Sequence, residues 1–335
     1  MQTAPRIFIV GSERSGSNLL RSLLGNHSAI EAPVDPHYFD AWYGALRYYG
    51  DLRDEGNMRH LLADMLEYAN HPFNDWGLET TADQLLAKHG PRCFLDAFDA
   101  LYLAQAARHT KTGYLCKGNH IFNYAFQVKA HWPDAKLLYL YRDPRDHCAS
   151  WKEKPLHLKT VFDAVVKWER EQRRCLQLVK SHGIDMHFVS YEELIADTPQ
   201  VMARVLTHCG LPIEEACFET DSAKQRSTAQ RYVYWQNLDK PIIRDNKRKY
   251  LKSLSQEEVR LIETIAREMM QALGYAPDTE GGWRAHRLYG LRLRLERKRT
   301  ERTHREHLAK DLSILHQKND LLKRIQERAR ARKLK

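Results

Sequence analysis

The chain has 335 residues, with 53 Lys+Arg against 43 Asp+Glu (formal charge +10), and is 43% apolar and 10% aromatic. This composition lies outside the disordered class and can bury a large core. No apolar run reaches the ~18 residues of a membrane-spanning helix, and the N-terminus lacks the longer apolar stretch and cleavage site of a secretory signal.

Residues 6–10 (Arg-Ile-Phe-Ile-Val) read as a first strand ended by Gly11, and 19–24 as the helix that follows. Helical patterns at 58–68 and 97–107 make 40–110 a long aromatic insertion, expected on the substrate side of a cleft. Further strands are expected at 113–117, 136–141 and 186–190. All are continuous apolar runs, as in strands covered on both faces. Helices are expected at 162–178 and 199–209. Strands alternating with helices predict an α/β fold with a central, mostly parallel sheet flanked by helices. Ser255 and Glu258 form a capping box that opens a helix running to Leu273 and stopping at Gly274. Residues 277–282 read as a linker. The six cysteines form no Cys-x-x-Cys pair, which suits reduced thiols in a cytoplasmic protein.

The charge divides at that linker. Residues 283–335 hold 18 Lys+Arg and 6 Asp+Glu, and the first 282 hold 35 and 37. A near-neutral domain (1–282) therefore carries a basic helical tail (283–335). Leu308, Leu312, Leu315, Asn319 and Leu322 follow 4-3-4-3 spacing, the seam of a short coiled coil with Asn319 at an a position, which predicts a homodimer. A solvated basic helix is the alternative. The Leu, Tyr, Trp and Arg mixture of 283–295 suits an anionic membrane surface or glycan. Nothing resembles a nucleic-acid-binding module.

Two segments carry the chemistry. Ile7-Phe-Ile-Val-Gly11-Ser-Glu-Arg14-Ser15-Gly16-Ser17-Asn18 is strand, glycine-containing turn and helix start, a layout that aims backbone N–H groups and a helix dipole at one anion. Its Gly11-x4-Gly16 spacing equals that of a nucleotide P-loop, but Ser17-Asn18 stands where Lys-Ser/Thr would follow. Arg14 supplies the cation from inside the loop. The second segment, Leu137 to Trp151, puts Arg142 at the carboxyl end of a buried strand and Ser150 on the next helix. A guanidinium fork and a hydroxyl there can hold a phosphate. The plain structural alternative is an Arg142–Asp146 ion pair capping that helix.

Together these segments resemble the sulfotransferases that use 3′-phosphoadenosine 5′-phosphosulfate (PAPS). The resemblance implies that the first loop holds the 5′-phosphosulfate, and that Arg142 and Ser150 hold the 3′-phosphate. Glu31-Ala-Pro-Val-Asp35-Pro-His37-Tyr-Phe-Asp40 resembles the segment bearing the catalytic carboxylate of glycosaminoglycan sulfotransferases, with Asp35 in place of Glu and Val34 in place of a frequent Lys. Lys117-Gly-Asn-His120 is similar to the family's Lys-Thr/Ser-Pro-x-His and lacks the Pro. Tyr191-Glu192-Glu-Leu194 resembles a Tyr-Glu-x-Leu strand end. Asn246-Lys247-Arg248-Lys-Tyr250 resembles the basic loop over the nucleotide and lacks its glycine. The resemblance spans about 6–275.

The expected activity is transfer of a sulfuryl group from PAPS to a hydroxyl of a carbohydrate, lipid-linked or other small acceptor, without a metal. Backbone N–H groups of 14–18 and the side chains of Arg14 and Ser17 would cradle the phosphosulfate, and Lys117 would stabilise the leaving-group side. Asp35, His37 and Glu31 compete as the general base. The rival readings are a P-loop nucleotide phosphotransferase and a non-catalytic scaffold acting through its basic tail.

Overall fold

The computed structural model describes residues 4–118, 120–153, 160–220, 241–280, 282–285, 289–307 and 309–333, without the side chains of 302–312. Five strands, β1 (Arg6–Gly11), β2 (Ile30–Glu31), β3 (Gly113–Cys116), β4 (Lys136–Tyr141) and β5 (His187–Ser190), form one sheet in the order β2-β3-β1-β4-β5. Every pairing is parallel, with Phe8 opposite both Cys116 and Leu137. The alternate residues of β1 explain why the run is apolar throughout. Phe8 and Val10 face one core cluster, and Ile7 and Ile9 face the other.

Helices cover both faces. Helix α1 (Ser17–Gly25) packs Leu20, Leu23 and Leu24 on the Ile7/Ile9 face. The insertion folds as α2 (Tyr38–Trp42), α3 (Glu55–Ala69), α4 (Ala82–His89) and α5 (Phe94–Arg108) on the Phe8/Val10 face. Beyond it come α6 (Ala125–His131), α7 (Pro144–Glu153), α8 (Val161–Lys180), α9 (Tyr191–Ala196) and α10 (Thr198–Cys209). The Ser255/Glu258 capping box is present, but the single helix expected to 273 is two, α12 (Gln256–Ile265) and α13 (Arg267–Ala272), preceded by the short α11 (Tyr250–Ser253). The six cysteines are free thiols, five of them buried. Among the described residues no helix is long and apolar enough to cross a membrane.

The basic tail is helical as α14 (Tyr289–His307) and α15 (Ala309–Lys333). Helix α15 returns to the body: Leu321, Ile325 and Ala329 are buried in the same cluster as α3. This stripe differs from the expected dimer seam. Asn319 is exposed, Leu315 and Leu322 are half-buried, and Leu308 and the side chain of Leu312 lie outside the described residues. Arg328 pairs with Asp64 and Glu67 (2.5 Å each), Arg332 pairs with Asp64 (3.1 Å), and Gln326 donates to the Ala41 carbonyl. Asp64 itself is 1% exposed and also accepts from Tyr49 Oη (2.9 Å). Removing both arginines (Arg328→Met with Arg332→Met) leaves that buried carboxylate, among the described residues, on Tyr49 alone. Breaking a buried pair from one side costs about 3–5 kcal/mol. The guanidinium heads are partly solvated, so a loss near the lower end is expected in urea unfolding.

Candidate functional site

The chain leaves β1 towards β2 and β3 but runs from β4 to β5 on the other side. The carboxyl ends of β1 and β4 therefore flank the switch point of the sheet, where open α/β sheets bind ligands. After β1, Arg14 and Gly16 adopt left-handed conformations (φ 65° and 92°). Gly16 caps α1 with no side chain on the helix's first N–H groups, and Ser17 and Asn18 open the helix half-buried. With no side-chain cap among the described residues, the first N–H groups and the positive end of the dipole can hold an anion. A Cβ on Gly16 would lie 2.3 Å from the Tyr191 ring. Gly16→Ala is expected to cost about 1–3 kcal/mol through overpacking and strain, read as a lower melting temperature.

The second segment converges on the same place. Arg14 Nε and Nη2 donate to Ser150 Oγ (3.1 and 2.9 Å). Arg142, 6% exposed, donates to the carbonyls of Arg14 and Asn246 (3.2 Å each) and lies 4.3 Å from the Tyr191 ring centre. Asp146 is instead used by the backbone, accepting from the N–H groups of Arg248 (2.6 Å) and Tyr250 (3.1 Å). Among the described residues Arg142 has no ion-pair partner, and its Nε has no hydrogen bond. Ser15 Oγ and both ring nitrogens of His147 are also buried without partners. Burial, with Lys167, Arg142 and Arg14 nearby, pushes His147 well below the usual imidazole range, so it is neutral with one donor and one acceptor. Buried polar atoms are normally paired. Unpaired ones on three residues around two guanidinium groups are what a polyanionic ligand would satisfy. The loop's own carboxylate, Glu13, pairs with Lys167 (3.0 Å), which also pairs with Glu171 (2.7 Å).

The loop 246–250 lies against this cradle through its backbone and through Asn246 Nδ2, which donates to Tyr191 Oη (2.5 Å). Lys247 is exposed. Arg248 is exposed too, and its guanidinium pairs with Asp278 (3.2 Å).

Asp35 and His37 sit together before α2. Asp35 is 4% exposed, and its Oδ1 accepts from Tyr102 Oη (3.0 Å) and the His37 N–H (2.9 Å). Its Oδ2 lies 3.3 Å from His37 Nδ1. Burial would raise this carboxyl, but the charge of His37 and the hydrogen bonds from His37 and Tyr102 outweigh it and bring it to about 2. His37 holds a left-handed φ of 62° and is one-third exposed; such strain in a non-glycine residue collects at functional sites. The loop after β3 packs on this pair, since a Cβ on Gly118 would be 3.2 Å from Asp35 Oδ2. Lys117, beside it, is lowered to about 8 by burial and by Arg21, against the pull of Asp35 and Glu13. Glu31 is turned away: its carboxylate pairs with His109 (3.0 Å), a residue that precedes β3.

A family model described as the sulfotransferase family matches residues 5–215. The chain belongs to the sulfotransferase family. Among solved structures it is similar to the sulfotransferase domain of the Synechococcus PCC 7002 olefin synthase (17% identity, TM-score 0.56, covering 82% of this chain and 97% of that one). It is also similar to the sulfotransferase domain from the curacin biosynthetic pathway (18%, TM-score 0.52, 82% and 99%). An uncharacterised protein of Aquifex aeolicus (strain VF5) is 22% identical over 261 residues. This match takes in 71% of the chain but only 31% of that longer protein.

The structure adds residues that the motifs did not single out. His147 could have been found from its spacing, three residues before Ser150 and so on the same helix face. Lys167 and Tyr102 had no signal, because each arrives from a helix remote in sequence. Cys93, Asp96 and His131 offer ligand atoms within 4.8 Å of one another, which no sequence spacing revealed. Asp96 is already accepting from the N–H groups of Arg92 and Cys93 at the start of α5. Of the aromatic side chains in the insertion, Tyr38, Trp42 and Trp76 are core residues.

Proposed function

We propose that the protein transfers a sulfuryl group from PAPS to a hydroxyl of a small acceptor such as a carbohydrate or a lipid-linked compound. The observation that carries this is Arg142: a buried guanidinium without an ion-pair partner among the described residues, at the end of β4 and against the Arg14–Ser150 pair. The N–H groups of residues 14–18, with Arg14 and Ser17, would hold the 5′-phosphosulfate. Arg142 and Ser150 would hold the 3′-phosphate. The unpartnered Ser15 Oγ and His147 nitrogens fit a ligand rich in oxygen acceptors and ring nitrogens. When bound, the donor supplies the sulfuryl group that is moved.

The chain's own residues divide the remaining work. Asp35 accepts from the His37 backbone N–H, and its Oδ2 lies 3.3 Å from Nδ1, so the carboxylate would orient the ring and leave Nε2 to take the acceptor's proton. Among the described residues Nε2 has no other partner. Lys117 sets an ammonium beside Asp35, where it stabilises negative charge developing on the donor side. The P-loop phosphotransferase reading lacks the lysine and hydroxyl that hold β/γ-phosphates and Mg²⁺, for Ser17-Asn18 occupies those positions. Thermal stabilisation separates the two: 3′,5′-adenosine bisphosphate is expected to raise the melting temperature more than ATP·Mg²⁺. No shift, or a larger one with ATP·Mg²⁺, rejects the PAPS reading.

A further inference from the structure

Cys93, Asp96 and His131 each bring one ligand atom to a place where the three lie within 4.8 Å of one another. Two elements far apart in sequence make the meeting. Cys93 is the N-cap of α5 and Asp96 stands in its first turn, while His131 closes α6. The core fixes both elements next to the cluster. Phe94 is 4% exposed, and the buried Trp132 ring lies 6.0 Å from that of Phe8 and 6.2 Å from that of Phe98. Backbone groups orient the carboxylate. Asp96 Oδ2 accepts from the N–H groups of Arg92 (2.9 Å) and Cys93 (3.1 Å), which leaves Oδ1 to face His131 Nε2 at 2.9 Å. The Cys93 thiol is hydrogen-bonded to the same carboxylate.

A helix cap with an ion pair explains Asp96 and His131 but not the thiol. Ser, Thr, Asp and Asn are the residues that cap a helix well, and a thiol is a weak hydrogen-bonding group. Thiol sulfur, imidazole nitrogen and carboxylate oxygen together are a donor set for zinc, whereas calcium and magnesium take oxygen. Of the six cysteines, Cys93 alone is not buried. The distances suit the same ion. Tetrahedral zinc bonds place such ligand atoms roughly 3.3–3.6 Å apart, so the 2.9 Å contact between Asp96 and His131 needs to open by about half an ångström. Helix α6 ends at His131, and a helix C-terminus favours positive charge. The N–H groups that steer Asp96 are the outer support a ligating carboxylate needs. We propose that Cys93, Asp96 and His131 bind a Zn²⁺ ion, with water as the fourth ligand. The thiol proton leaves to solvent, and the imidazole binds through Nε2 with its own proton on Nδ1. No step of sulfuryl transfer runs through this ion, and the site stands whichever donor the protein uses. Phe94, next to Cys93, packs on Phe39 and Tyr43 (ring centres 5.8 and 5.6 Å apart). The ion therefore braces the start of α5 where it meets α2, the helix that follows His37.

The full chain, reduced and stripped of metal with a chelator, is titrated with Co²⁺, whose bond to a thiolate gives a near-ultraviolet charge-transfer band. The band is expected to saturate at a single equivalent and to be bleached by Zn²⁺. Zn²⁺ is also expected to raise the melting temperature and to slow alkylation of Cys93, mapped by mass spectrometry. Cys93→Ser should lose the band. His131→Gln should keep a band but bind about tenfold or more weakly. No saturable band in wild type, an unchanged band in Cys93→Ser, or an unchanged affinity in His131→Gln overturns the proposal. Alkylation needs no variant, so a Cys93 that Zn²⁺ leaves unprotected overturns it even where a variant fails to fold.

Discussion

Arg142→Ala is expected to abolish the stabilisation given by 3′,5′-adenosine bisphosphate while leaving the unliganded protein about as stable as wild type. The two halves of that result come from one fact. Among the described residues Arg142 has no ion-pair partner, so deleting it breaks no salt bridge, and the removal of a desolvated charge offsets the pull it exerts on Asp146 and Glu192. What is lost is the contact with the Tyr191 ring, about 0.5–2 kcal/mol, and two hydrogen bonds to carbonyls. Trp168 Nε1 donates to the backbone carbonyl of Arg142 (3.1 Å), which the variant retains. Binding suffers far more. Truncating one member of a buried, hydrogen-bonded charge pair costs about 2–5 kcal/mol, roughly 30-fold or more in Kd. Arg142→Lys should fall between, since a point charge replaces a planar fork. A normal bisphosphate shift in Arg142→Ala would remove the 3′-phosphate from this residue. Loss of the shift together with a large fall in unliganded stability would make Arg142 a structural residue.

The sheet and the anion cradle were legible because their signals are local. A buried parallel strand is a continuous apolar run, and a glycine-bounded turn before a helix is an anion site by its own geometry. That is why β1, β3, β4 and β5 stand close to the expected positions and why Arg14, Gly16, Arg142 and Ser150 meet. Strand β2, two residues long, is set by its pairing with Gly113 and Tyr114 rather than by any pattern of its own. Charge placement was the harder problem. The net charge of the tail described its exposed face and suggested a separate unit, yet Lys318, Leu321, Ile325 and Ala329 bind α15 to the body. The packing of α15 on the body uses Leu321, Ile325 and Ala329 rather than the Leu315-Asn319-Leu322 spacing expected for a dimer seam. Glu31 shows the same limit at a single residue. It stands at the end of a strand, as a catalytic carboxylate would, but the turn of the strand gives it to His109.

The pH dependence of kcat/KM, which reports the free enzyme, is expected to decide how Asp35 and His37 share the proton transfer. At about 2, Asp35 is ionised throughout the working range, and so acidic a carboxyl is a weak proton acceptor for a hydroxyl. His37 is one-third exposed with Nδ1 3.3 Å from Asp35 Oδ2, and an imidazole is a better proton acceptor than so acidic a carboxylate. The base must be neutral to accept a proton, so activity should show an acid limb that depends on His37. Lys117 must be protonated, and it is lowered to about 8; activity should fall above that value. His37→Gln is expected to lose about 10²–10⁴ in kcat together with the acid limb. Lys117→Met should lose the alkaline limb. Asp35→Asn should lower kcat while keeping the acid limb, since the carboxylate that orients the ring is gone but the base remains. The converse set, a severe loss in Asp35→Asn with near-normal turnover in His37→Gln and no acid limb above about pH 4, would make Asp35 itself the base and His37 its positioning partner. Bisphosphate binding, measured in each variant, ties either outcome to chemistry rather than to the donor site.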